Sequence, residues 1–85
     1  MVKKNQYLEL NKALQDKVKK ELLDVEKGSS NKNIVQLKLI LEELQLSEKK
    51  IGLTLKYPRI IIDSWGFDDE LGIELLKASE LYAKL

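Results

Sequence analysis

Two residue types with versatile chemistry are missing from this chain of 85 residues, which has no cysteine and no histidine. Without cysteine, the chain forms neither a disulfide framework nor a thiolate zinc site. Without histidine, it lacks the most common metal ligand and the usual general base at neutral pH. Its four glycines are scattered and form no phosphate-binding loop. We therefore expect no enzyme activity, no metal and no cofactor.

Long apolar runs are also missing from the sequence. No run approaches the roughly 20 residues that a membrane-spanning helix needs. The lysines near the N-terminus are not followed by the continuous apolar region of a signal peptide. We expect a cytoplasmic protein with no membrane partner.

The composition is that of a globular domain, with 44% apolar and 34% charged residues. The length predicts a single domain over residues 1–85. The net charge of +1 hides an asymmetry, because residues 1–56 carry twelve lysines against eight acids, whereas residues 57–85 carry three basic residues against six acids. The basic part could favour an anionic partner, or its lysines could simply solvate the outer faces of helices.

Apolar spacing predicts a first helix from about Lys3 to Lys27, ended by Gly28 in a left-handed cap. A second helix is predicted to start at Asn33, with Gln36 as the reciprocal partner of a capping box. This helix has two apolar stripes on opposite faces, which is typical of a helix placed between neighbours. The stripes are Ile34, Leu37, Leu41 and Leu44 on one face, and Val35, Leu39 and Leu46 on the other.

The last helix is predicted to begin at the cap residue Asp68. Its apolar residues form a narrow seam of the coiled-coil type, which could pack on an earlier helix or serve as a homodimer face. The seam consists of Leu71, Leu75, Ala78, Tyr82 and Leu85. The whole pattern predicts an all-α bundle of four to five helices.

Residues 46–65 carry the spacing that bears most on function. Ser47 is the predicted N-cap of a further helix, and Pro58 the predicted first residue of a short helix that runs to Trp65. Because three consecutive isoleucines favour extended structure, a strand over residues 59–63 is the alternative.

This segment resembles the helix-turn-helix motif of bacterial regulators, over about residues 33–65. Ile51 matches the first apolar anchor, Gly52 the small residue at the helix crossing and Tyr57 the plug in the turn. Ile62 and Trp65 match the residues that pin the second helix. The resemblance implies a helix-turn-helix corner in a small, dimeric DNA-binding regulator. Its contacts with double-stranded DNA would come from Lys49, Lys50, Lys56, Arg59 and Ser64.

The alternative is a protein-interaction module, such as an adaptor, an inhibitor or an immunity-type helical bundle, with no nucleic-acid role. Four apolar residues, Leu8, Leu23, Ile60 and Ile61, are candidates for contact with another protein. Surplus apolar surface on so small a domain often marks a partner site. The acidic C-terminal third also fits this hypothesis, because acidic side chains repel DNA phosphates.

Overall fold

The fold is known from a computed structural model, which describes residues 2–66 and 68–85. This part of the chain forms four helices and no strand: α1 (Val2–Glu26), α2 (Ile34–Lys49), α3 (Tyr57–Ser64) and α4 (Glu70–Ala83). Helix α1 packs against α2 and α4, and the short α3 lies between α2 and α4. The predicted all-α bundle is confirmed, and the alternative of a strand over residues 59–63 is wrong.

The end of α1 matches its prediction. Gly28 has φ of +80°, and the N–H groups of Gly28 and Ser29 donate to the carbonyls of Val25 and Asp24. These two bonds form a Schellman motif, which satisfies carbonyls that the helix end would leave free.

The start of α2 matches its prediction only in part. The Asn33 side chain accepts hydrogen bonds from the N–H groups of Val35 and Gln36, as an N-cap does. The capping box is wrong, because the Gln36 side chain bonds Ser64 and Trp65 of the neighbouring segment instead.

The helix predicted to start at Ser47 does not form. Ser47 is buried inside α2, which continues to Lys49, and its Oγ lies 2.6 Å from the hydroxyl of Tyr7. Residues 50–56 are not helical, and Gly52 has φ of +87°, so it lies in a turn rather than at a helix crossing. The helix-turn-helix corner is not confirmed. The motif joins its two helices by a turn of three or four residues, whereas seven non-helical residues separate α2 from α3 here.

The core is a continuous apolar cluster to which all four helices contribute. Its buried members are Tyr7, Leu14, Val18, Leu37, Ile40, Leu44, Tyr57, Ile61, Leu75, Ala78 and Tyr82. The predicted seam of α4 therefore faces inward, with its end residues Leu71 and Leu85 partly buried against the cluster.

Two predictions of buried faces are wrong. The second stripe of α2 is not covered, since Val35 is 70% and Leu46 50% exposed. On α3, Ile62 is 64% exposed, while Ile61 is buried. The buried face of α3 starts at its first residue, Tyr57. Ile61 lies one turn later on the same face, so Ile62 points away from the core.

The cap of α4 is Asp69, not Asp68. The Asp69 side chain accepts a hydrogen bond from the N–H of Gly72 at 2.8 Å. Burial of Asp69 acts to raise its pKa, but hydrogen bonds from Lys32 and from this backbone N–H outweigh it and leave the pKa below its usual value.

Candidate functional site

The residues predicted to contact DNA are all exposed, but they do not form one face. Lys49 and Lys50 lie at the C-terminal end of α2, and Lys56 caps α3. Arg59 and Ser64 are five residues apart on α3, so they point about 140° away from each other. Ser64 faces α2, where its hydroxyl accepts a hydrogen bond from Gln36.

Arg59 is engaged in an ion pair on the outer face of α3. Its Nε lies 3.4 Å from Oδ2 of Asp63, one turn further along the helix, and both side chains are mostly exposed. A pair this exposed adds little stability. It does place a carboxylate beside the one arginine of the chain, which weakens the attraction of this face for phosphate.

The four residues predicted to contact a protein partner are not brought together. Ile61 is buried in the core, Leu8 is partly buried against it, and Ile60 is half-buried. Leu23 is 53% exposed, but it lies on α1. Ile61 is therefore not accessible at the surface, and contact of the other three residues with a partner stays a prediction.

An apolar surface that the sequence did not single out lies where α3 meets α4. Ile62 on α3 and Ile73 on α4 are 64% and 39% exposed. They flank a small cleft with a volume of about 140 Å³. The cleft is lined by Ile61, Ile62, Trp65, Gly66, Gly72, Ile73 and Leu76. We call this surface the α3–α4 patch.

The floor of the α3–α4 patch depends on a glycine. A Cβ atom at Gly72 would come within 3.1 Å of side-chain atoms of both Ile61 and Trp65. The absence of a side chain at Gly72 therefore lets α4 approach α3 closely and leaves Ile62 and Ile73 at the rim. The sequence did not point to Ile73, because this residue lies off the apolar seam of α4. The neighbouring Gly72 was the one sign in the sequence that another helix comes close at this point.

The wall of the patch is fixed by Trp65. The indole Nε1 donates to Oε1 of Gln36 at 3.2 Å, and the ammonium of Lys32 lies 4.8 Å from the ring centroid. Lys32 in turn pairs with Asp69 at 2.6 Å. These contacts hold the ring between α2 and α4, as expected for a tryptophan whose N–H needs a partner when it is partly buried.

A polar groove of about 510 Å³ lies on the other side of Trp65, next to the starts of α2 and α4. The charges in this groove are already compensated, because Lys32 lies near both Asp69 and Glu21. In the described residues, every buried side-chain nitrogen and oxygen has a hydrogen-bond partner. The groove therefore holds no buried side-chain group that lacks a partner.

Two other kinds of site are absent from the described residues. They contain no group of three acidic, histidine or cysteine residues that could hold a metal ion. None of the described helices combines the length and the apolar character needed to cross a membrane.

Comparisons with known proteins add no functional assignment. No family model matches the chain, and no curated protein or solved structure matches it significantly.

Proposed function

We propose that this protein is a protein-interaction module that binds a segment of its partner at the α3–α4 patch. The observation that carries the proposal is the exposure of Ile62 and Ile73 on either side of an apolar cleft. Single exposed apolar residues are ordinary, but two that flank one preformed cleft are typical of a partner site.

The size of the cleft indicates what enters it. A cavity of about 150 Å³ lined by apolar side chains holds one benzene molecule, and this cleft has a volume of about 140 Å³. One apolar side chain of the partner therefore fits as an anchor. Anchors of this kind commonly come from an amphipathic helix that lies in a groove.

The surrounding charge indicates the remaining chemistry of the partner. Residues 57–85 carry six acids against three basic residues. Glu70 and Glu80 are exposed and lie three residues before and seven residues after Ile73, on the same side of α4, where they outnumber the exposed Lys77. Basic residues on the partner helix would complement these carboxylates and speed its association.

The features that favour DNA binding are weaker. Seven residues separate α2 from α3, and Asp63 pairs with Arg59 on the face that would approach the phosphates. A protein partner accounts for the exposed isoleucines, whereas a DNA backbone offers them nothing apolar to contact.

A titration with a designed peptide tests the proposal. The probe is an amphipathic helix of about 14 residues, roughly four turns, built from leucine and lysine. We expect its binding to shift the methyl resonances of Ile62 and Ile73. The substitution Ile62→Asp should weaken binding by at least about tenfold, or about 1.4 kcal/mol. Leu23→Asp is the matched control, because Leu23 is 53% exposed and lies on α1, outside the patch.

Three outcomes would contradict the proposal. One is the absence of peptide-induced shifts at Ile62 and Ile73, and another is equal weakening by Ile62→Asp and Leu23→Asp. The third comes from a parallel titration with generic duplex DNA at about 50 mM salt, where salt-sensitive amide shifts clustered at residues 47–65 would favour a DNA-binding regulator.

A further inference from the structure

A second apolar surface lies on the outward face of α2. Val35 and Leu46 are 70% and 50% exposed, and Leu39 between them is half-buried. The spacings of four and seven residues place these side chains along one side of the helix. We call this surface the α2 stripe. It shares no residue with the α3–α4 patch.

Exposed charges of both signs lie along the α2 stripe. Lys49 follows Leu46 by three residues, at the C-terminal end of α2. Between Val35 and Leu46, Lys38 follows Val35 by three residues, and Glu42 precedes Leu46 by four. Neither side chain makes an ion pair with another residue in the described part of the chain. Both charges are therefore available to a group that packs on the stripe.

We propose that the α2 stripe is the contact between two copies of this chain, with their α2 helices antiparallel. In this arrangement, Val35 of each copy contacts Leu46 of the other, and the two-fold axis crosses α2 midway between these two positions. Lys38 of one copy then lies almost opposite Glu42 of the other, with an offset of one residue, or about 1.5 Å along the helix axis. The two-fold symmetry repeats this ion pair on the other side of the axis.

The charge pattern selects this orientation. In a parallel pair at the same register, each Lys38 would face the Lys38 of the other copy, and each Glu42 the other Glu42. Like charges in such positions disfavour association, whereas the antiparallel arrangement makes two opposite-charge contacts. Neither a neutral apolar partner nor an anionic surface would account for both charges.

The size of α2 indicates a weak dimer. Sixteen residues make a helix about 24 Å long. One face of it is smaller than the roughly 800 Å² per partner of a stable interface, so we expect a dimer that forms only at high protein concentration. Such a dimer would place two copies of the α3–α4 patch in one particle and allow two-point binding of a partner.

Charge reversal tests the ion pairs. Sedimentation velocity over about 10 µM to 1 mM should give concentration-dependent dimerisation, as expected for a weak contact. Lys38→Glu alone should raise the Kd by at least about threefold, and so should Glu42→Lys, because each homodimer then carries two like-charge contacts. An equimolar mixture of the two variants should form a heterodimer at the original Kd or below, because both contacts become attractive again.

Cysteine crosslinking tests the orientation, since the natural chain has no cysteine. A mixture of Val35→Cys and Leu46→Cys proteins should form a disulfide between the two variants. This reaction should be at least about threefold faster than disulfide formation between two copies of Val35→Cys, because only positions 35 and 46 meet across the two-fold axis. Leu23→Cys, on the exposed side of α1, is the matched control and should crosslink slowly.

The proposal is overturned if the natural protein stays monomeric throughout this concentration range. It is also overturned if the charge variants associate as the natural protein does, or if Val35→Cys alone crosslinks as fast as the mixture. Loss of the dimer on Ile62→Asp would assign the contact to the α3–α4 patch instead, and would likewise overturn it. Binding of the leucine–lysine peptide is a separate measurement, so the two proposals fail independently.

Discussion

Glu43 is a buried acidic residue that bonds to the segment where α3 begins. It lies on α2 with only 9% of its surface exposed, and its carboxylate accepts hydrogen bonds from the N–H groups of Lys56 and Tyr57 at 2.8–2.9 Å. Lys56 is the N-cap of α3 but provides no side-chain cap bond. The carboxylate of another helix therefore satisfies the free N–H groups at the start of α3, where the helix dipole favours a negative charge.

The substitution Glu43→Leu tests this long-range cap. It keeps a similar volume but leaves two backbone N–H groups without a charged acceptor, so we expect a loss of about 2–3 kcal/mol in the free energy of unfolding. Urea denaturation measures this loss, and hydrogen exchange at the Lys56 and Tyr57 amides should become faster. Glu26→Leu at the exposed end of α1 is the control. Unchanged exchange at both amides in Glu43→Leu would contradict the assignment of the cap.

At the scale of elements, the positions of α3 and of the segment before it are set by contacts with α2 and α4. The Tyr82 hydroxyl donates to the carbonyl of Lys50 at 2.6 Å and accepts from the N–H of Leu53 at 3.0 Å. Together with Glu43, this tyrosine holds residues 50–56 against the bundle. On its other side, α3 contacts α4 where Gly72 permits a close approach.

The substitution Gly72→Val tests the close contact of α3 and α4. The new side chain would push against Ile61 and Trp65, and we expect a loss of about 1–3 kcal/mol in the free energy of unfolding. Urea denaturation gives the loss, and the methyl resonances of Ile62 and Ile73 report the change in the α3–α4 patch. Ala13→Val on the exposed side of α1 is the control for valine in an uncrowded helix position. Valine has a weaker helix propensity than alanine but a stronger one than glycine, so propensity alone would make Gly72→Val slightly more stable than the natural protein. If Gly72→Val loses no stability, α4 has room at Gly72 and the close contact is not needed.

At the scale of the whole molecule, the core combines apolar packing with buried hydroxyl groups. The Tyr57 hydroxyl donates to the carbonyl of Leu75 at 3.1 Å, while the Tyr7 hydroxyl lies in hydrogen-bond distance of Ser47 and Asn11. Burial raises the pKa of both phenols above the usual value of 10.0. Satisfied polar groups of this kind specify how α1, α2 and α4 pack.

The raised pKa values predict that the fold weakens at alkaline pH. The unfolded chain releases its phenolic protons near pH 10, while the folded chain still holds those of Tyr7 and Tyr57. The contribution of these two phenols to the free energy of unfolding is fully present below about pH 10. It is lost as the pH rises toward the pKa values of the folded state, by up to about 1.4 kcal/mol per pH unit for each phenol.

Urea denaturation at several pH values between about 8 and 11, with tyrosinate absorbance as a second probe, measures this dependence. The variant Tyr57→Phe should lose stability less steeply above about pH 10, because one raised phenol is gone. A free energy of unfolding that stays constant between about pH 9 and 11 would contradict the prediction.

The sequence by itself determined the features that depend on neighbouring residues along the chain. The left-handed cap at Gly28, the N-cap at Asn33 and the helix start near Pro58 are all confirmed. Each is decided by the backbone preference or the hydrogen bonds of a few consecutive residues, so local rules suffice. The seam of α4 was predictable for the same reason, since its helical period is visible in the sequence. Its inward orientation was not, because the same seam could have formed a homodimer face.

Only the tertiary structure decided which faces are buried and what the polar residues do. Ser47 has the residue type of a cap, yet it lies inside α2 because Tyr7 and Asn11 of α1 provide partners for its hydroxyl. Likewise, the isoleucines of α3 have similar side chains, and only the packing between α2 and α4 buries Ile61 and leaves Ile62 exposed. The α3–α4 patch exists because two helices meet there, and residues distant in the sequence become a surface only once the chain has packed.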